Sequence, residues 1–107
     1  MEILSMNSIA LDTDLQLGFD LAKRLADAVA NACLGDSFCL SWYDRGSDQE
    51  SPAHASDCHG SCEVPGYIEY ATHRGAELKI VVQSGAFVFC FRRLGEFADA
   101  HDRSTNA

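Results

Sequence analysis

Apolar and polar residues alternate along most of this chain, and one segment breaks that rhythm with a longer period. Over residues 14–33, Leu17, Leu21, Leu25, Ala28, Val29 and Ala32 recur at steps of three and four, while Asp20, Lys23, Arg24 and Asp27 lie largely off that stripe. Such spacing predicts an amphipathic helix whose apolar stripe covers a core. Asp12 or Thr13 is placed to cap its first N–H groups, and Asp14 suits the positive end of its dipole. Gly35 stands where helices commonly stop.

Elsewhere the period is two, the spacing of strands. In residues 2–11, Ile3, Ser5, Asn7 and Ile9 share one side, and Leu4, Met6, Ser8 and Ala10 the other. In residues 37–45, Phe38, Leu40 and Trp42 alternate with Cys39, Ser41 and Tyr43. "GYIEYATHRG" (66–75) predicts a third strand, broken at Gly75, and "ELKIVVQ" (77–83) a fourth. "SG" at 84–85 predicts a short hairpin turn, followed by a fifth strand in "AFVFCFRR" (86–93).

The expected fold class is therefore α+β. One N-terminal strand and one long helix precede a four-stranded, mostly antiparallel meander, and the helix packs on one face of it. Phe38, Leu40, Trp42, Ile68, Tyr70, Leu78, Ile80, Val82, Phe87, Phe89 and Phe91 are expected to meet the helix stripe. The opposite face would carry Cys39, Ser41, Tyr43, Tyr67, Glu69, Ala71, His73, Lys79, Val81, Val88, Cys90 and Arg92. One helix cannot cover both faces, so a second copy of the chain is expected over this one, making a homodimer.

At 107 residues the chain has room for one domain. That domain is expected over 1–93, with a long mobile loop at 46–66 and a polar tail at 94–107 that forms at most a helical turn near Glu96–His101. The formal charge is −8, and the few Lys and Arg residues are scattered. Phosphate backbones and anionic membranes both need a clustered positive field, so neither nucleic acid nor a membrane surface is an expected partner. No apolar run approaches the ~20 residues of a membrane span, and "MEILSMNS" lacks the basic and apolar regions of a signal peptide. The expected address is the cytoplasm. There, five cysteines would be reduced thiols or metal ligands, and an odd number excludes complete intrachain pairing.

Two segments carry candidate chemistry. The first is "SPAHASDCHGSCEVPG" (51–66), where His54, Cys58, His59 and Cys62 lie close together. Zinc takes thiolate and imidazole ligands in a tetrahedron, and Cys58-x-x-x-Cys62 fits known ligand spacing, with Asp57 able to orient a histidine. A second Cys/His pair at a characteristic distance is missing, and adjacent Cys58 and His59 do not both reach one ion easily. A dithiol role is weakened by Asp57 and Glu63, which raise thiol pKa values. No cofactor is expected, zinc being the exception this loop leaves open. The second segment is "SWYDR" (41–45) at a strand end. Tyr43, Asp44 and Arg45, with His73, are candidate ligand-binding residues, Asp44 as a base and Arg45 as an anion clamp. The competing reading makes Asp44 and Arg45 the start of a turn. Cys33, Cys39 and Cys90 fall on periodic elements and read as small buried hydrophobes.

"LSWYDR", "SPA", "GYIEYATHRGAELKIVV" and "FVFCFR" together resemble a small uncharacterised family of short prokaryotic proteins of unknown function, over most of residues 10–93. The resemblance implies an α+β domain and supplies no functional residues. No nucleophile elbow, phosphate loop or carboxylate pair supports an enzyme. The sequence thus leads to a small binding or assembly module, homodimeric. The alternatives are a metal or thiol protein using the 54–62 loop and a small-molecule enzyme using the 41–45 strand end.

Overall fold

The apolar run "FVFCF" becomes the middle of the molecule. The computed structural model describes residues 6–52 and 65–94. In it, strand β5 (Phe87–Arg93) is buried from Phe87 through Phe91, the pattern of a strand covered on both faces. It pairs antiparallel with β4 (Leu78–Val82) on one side and with β2 (Ser37–Asp44) on the other. β1 (Asn7–Leu11) runs parallel to β4 at one edge, and β3 (Gln49–Ser51) antiparallel to β2 at the opposite edge. The sheet order is β1-β4-β5-β2-β3. The α+β class holds. The meander does not, because β2 and β5, distant in sequence, are neighbours. The loop expected over 46–66 contains β3 near its start.

Residues 66–73 are a helix, α2 (Gly66–His73), where the alternation predicts a strand. Its buried residues are Tyr67 and Ala71, four apart, which is helical spacing. The flanks agree with the helix: Pro65 precedes it, Glu69 lies in its first turn and His73 in its last, each at the favoured end of the dipole. Ile68 and Tyr70 therefore leave the predicted core and are only partly buried.

α1 (Phe19–Leu34) starts later than predicted, behind Gly18, and has no side-chain cap. Asp12 and Thr13 are used elsewhere. The Asp12 carboxylate accepts from Ser84 N–H (2.9 Å), Gln83 Oε1 accepts from Thr13 N–H (2.6 Å), and Gln83 Nε2 donates to Leu15 C=O (3.1 Å). These bonds fasten the β1–α1 connection to the β4–β5 turn. In that turn Gln83, Ser84 and Gly85 all take left-handed backbone (φ 53, 56 and 98°).

α1 packs on the sheet through Ala22, Ala26 and Ala30, each fully inaccessible, and not through the leucine stripe. Small side chains let the helix approach the large residues of the sheet: Leu78, Ile80, Val82, Phe87, Phe89 and Phe91. At its first turn Phe19 sits in an aromatic cluster, 4.6 Å from Trp42 and 5.7 Å from Phe89 between ring centres. Leu21 remains 40% exposed, and Leu25 is half-buried outside that core.

A β-bulge corrects the predicted faces of β2. The register with β5 shifts between Cys39 and Ser41, so Leu40 is the extra residue. Cys39 and Trp42 both pack against the α1 core, while Ser41 bonds α2 and Tyr43 stacks on its Tyr67. Cys39 and Cys90 accordingly lie on opposite faces. Phe38 is 39% exposed instead of buried. The second face needs no partner for its centre, because α2 covers Ser41, Val88 and Cys90 from within the chain. Among the described residues no helix is long and apolar enough to cross a membrane.

Candidate functional site

The end of β2 gathers part of the predicted ligand set. The Asp44 carboxylate accepts from Gly46 N–H at 3.1 Å, the local bond of an Asx turn. Arg45 donates its N–H to Ala86 C=O (2.9 Å) and accepts from Asp48 N–H (3.2 Å). Its guanidinium lies against Gly85. Asp44 and Arg45 thus start a turn, as the competing reading has it. Tyr43 projects from the strand and stacks on Tyr67 of α2, with ring centres 5.2 Å apart and planes 6° from parallel. Its hydroxyl donates to Asp48 Oδ1 at 3.0 Å. His73 lies six residues beyond Tyr67, about 9 Å along the α2 axis, at the exposed end of that helix. The strand end therefore brings Tyr43 to Tyr67 and Asp48, two residues outside the predicted set.

The electrostatics hold these groups protonated. The bond to Asp48 raises the Tyr43 phenol, with smaller contributions from desolvation and the Asp48 charge. Burial pushes Tyr67 up to about 12. Beneath them Ser41 Oγ donates to Tyr67 C=O at 2.7 Å, a buried bond that ties α2 to the sheet. Burial also raises the Cys90 thiol, partly offset by its bond with Ser41. None of these groups is a base or thiolate near neutral pH.

A second feature lies on the other face, where the polar flank of α1 meets β2. A groove of about 570 Å³ is lined by Lys23, Asp27 and Asn31 from the helix and by Ser37, Phe38 and Cys39 from the strand. Lys23 Nζ reaches both Asp27 oxygens at 3.0 Å, so the charges are already matched. Cys39 Sγ donates to Ser41 C=O at 3.2 Å. Burial raises this thiol to about 11, against a smaller lowering by Lys23. A protonated thiol is a poor nucleophile. The groove offers an ion pair, a carboxamide, a hydroxyl and aromatic surface. Its walls come from distant stretches of the chain and from a strand turned by the bulge, so periodicity could not reveal it.

Among the described residues no three His, Cys, Asp or Glu side chains gather as metal ligands. The candidate ligands His54, Cys58, His59 and Cys62 lie outside the described residues. Cys33, Cys39 and Cys90 are free thiols, Cys33 exposed.

Known proteins place this geometry in context. Residues 6–91 match a family described as a domain of unknown function, DUF5619. A crystal structure of AF1514 from Archeoglobus fulgidus DSM 4304, described as a novel protein, is similar at 30% identity. It has a TM-score of 0.66 over 83% of this chain and 95% of that one. No curated protein matches.

Proposed function

The chain belongs to the DUF5619 family, a domain of unknown function, and from that premise we propose that it is a small binding or assembly module that forms a homodimer. The observation carrying this reading is the width of the apolar arc on α1. Ala22, Ala26 and Ala30 meet the sheet, yet Leu21 is 40% exposed, Leu25 half-buried, and Ala28 and Ala32 exposed. In the connection before α1, Leu15 is 60% exposed. An apolar strip of this kind, rimmed by charged side chains, is characteristic of an association surface. The candidate chemistry supports binding over catalysis: the Asp44 carboxylate caps a turn, the Tyr43 hydroxyl is spent on Asp48, and the Cys39 and Cys90 thiols are kept protonated.

The proposed partner is another copy of the chain. A net charge of −8 disfavours nucleic acid and anionic membranes. The proposed setting is the cytoplasm, where five cysteines stay reduced. The test is sedimentation velocity on the parent protein from low to high micromolar concentration under reducing conditions. The expected result is a concentration-dependent shift from monomer to dimer. A monomer across the whole range would contradict the reading.

A further inference from the structure

The first half of β2 is a sheet edge. Leu94 N–H donates to Asp36 C=O at 2.7 Å, so the backbone of Asp36 faces β5. Alternation turns the backbone of Phe38 to β5 as well, and leaves the N–H and C=O of Ser37 and Cys39 facing outward. On that outer side β3 pairs only with Trp42, Tyr43 and Asp44. Among the described residues no strand pairs with the outer side of Ser37–Cys39. The groove of about 570 Å³ runs alongside this edge, with Ser37 and Cys39 on its near wall and Lys23, Asp27 and Asn31 of α1 on its far wall. Phe38, which alternates to the face of Arg92, is 39% exposed. Asp36 is exposed and has no ion-pair partner among the described residues, whereas Lys23 is already matched by Asp27.

Unpaired strand backbone beside a groove whose other wall is a helix is the arrangement that accepts an extended peptide as an added strand. We propose that the outer edge of Ser37–Cys39 binds a short, extended, basic segment of another protein, which joins the sheet beside β2. This goes beyond the homodimer reading and does not rest on it. The added strand lies about 4.8 Å from β2, over the mouth of the groove. Its main chain bonds the outward N–H and C=O groups of Ser37 and Cys39. Its side chains alternate: those on the α1 side meet Asp27, Asn31 and the Ser37 hydroxyl, and those on the other side meet Phe38. The matching segment therefore alternates basic and apolar residues. Charge complementarity sets the sign, because the chain carries −8 and the unmatched charge at this edge is Asp36. The segment is short because the bulge at Leu40 breaks the alternation and β3 occupies the edge from Trp42 onward.

The probes are labelled hexapeptides in which lysine alternates with valine, leucine or phenylalanine, and a matching set with glutamate in place of lysine. Fluorescence anisotropy under reducing conditions measures binding, and amide exchange followed by NMR locates it. At least one lysine peptide is expected to bind, and its glutamate counterpart at least tenfold more weakly. Saturation is expected to slow exchange of the Ser37 and Cys39 N–H groups at least tenfold. N-methylating alternate residues of the peptide removes the donors aimed at β2 in one phase and the opposite donors in the other. One phase should lose at least tenfold in affinity and the other little. Ser37→Pro removes an outward donor at the first residue of a strand, where proline is tolerated, and should weaken binding at least tenfold. Asp36→Lys leaves the backbone donors in place and should weaken it several-fold. The N-methylated peptides leave the protein untouched, so the reading does not depend on either variant folding. Failure of every peptide to bind, binding that leaves both amides unprotected, or equal loss in both phases overturns the proposal. So does protection of the two amides without peptide: at every protein concentration it means the chain closes its own edge, and growing with protein concentration it means a second copy does. Sedimentation of the parent decides the homodimer reading separately, so failure of one is distinct from failure of the other.

Discussion

Enlarging Ala26 to leucine asks which face of α1 is the buried one. Ala26 is fully inaccessible and sits between Ala22 and Ala30 in the row pressed against the phenylalanines of β5. If space existed, the added carbons would gain about 0.8 kcal/mol each from leaving water. In a close-packed contact there is no such space, so the helix must lift from the sheet or its neighbours must leave their rotamers. Overpacking of this kind costs about 1–3 kcal/mol. Leu25→Ala is the paired control. Leu25 is half-buried and outside the core, so its truncation forfeits only part of a leucine's burial, about 1.5 kcal/mol at most. A core leucine would cost about 2–5 kcal/mol. The assay is urea unfolding at protein concentrations low enough to keep every variant monomeric, since association adds to apparent stability. Ala26→Leu should lower the midpoint clearly and Leu25→Ala only slightly. The reverse order, with Leu25→Ala beyond about 2 kcal/mol and Ala26→Leu neutral, would refute the packing described here and restore the leucine stripe as the buried face.

Other consequences are equally direct. Ser41→Ala leaves Tyr67 C=O buried without its donor, so it should cost about 1–3 kcal/mol and speed amide exchange in α2. Cys39 is raised from 9.0 to about 11 by burial. Between those values the unfolded chain releases the thiol proton while the folded one keeps it, so the stability this thiol contributes is full below pH 9 and is lost as pH rises to about 11. Urea midpoints from pH 8 upward should therefore fall less in Cys39→Ala than in the parent, and parallel slopes would contradict the assignment. Timed alkylation read by mass spectrometry should modify exposed Cys33 well before Cys39 or Cys90, and equal rates would show that the two raised thiols are not buried.

The sequence revealed elements where one periodicity ran alone. β4, β5 and the presence of α1 were legible because "LKIVV" and "FVFCF" are short apolar runs between turn residues, while the three-and-four spacing of α1 extends over several turns. It misled where two periods coincide. In "GYIEYATH" alternate residues suggest a strand, yet Tyr67 and Ala71 are also four apart, and Pro65, Glu69 and His73 were the local signs of a helix. α1 carries two apolar rows, and propensity does not say which meets the sheet. Alanines won because their small side chains admit the bulk of the phenylalanines opposite. The bulge at Leu40 is a single residue of slippage that exchanges the faces on either side of it, invisible to a pattern that assumes strict alternation. The same limit governs the candidate site. Tyr43, Asp44 and Arg45 were correctly located at a strand end, but their true companions, Tyr67 and Asp48, depend on α2 and on the left-handed turn at Asp48. The groove beside Cys39 depends on both the bulge and the helix packing.

Sedimentation equilibrium of Leu25→Lys beside the parent tests most directly whether α1 is an association surface. A lysine at this half-buried position outside the core is tolerated by the monomer, because its stem lies along the helix and its ammonium reaches water. In an association surface it would bury an unpaired charge, where burial is costly. The predicted result is a parent that dimerises at micromolar concentration and a variant that remains monomeric with a nearly unchanged urea midpoint. A variant that dimerises as strongly as the parent would show that the leucine face of α1 is not where the chains meet.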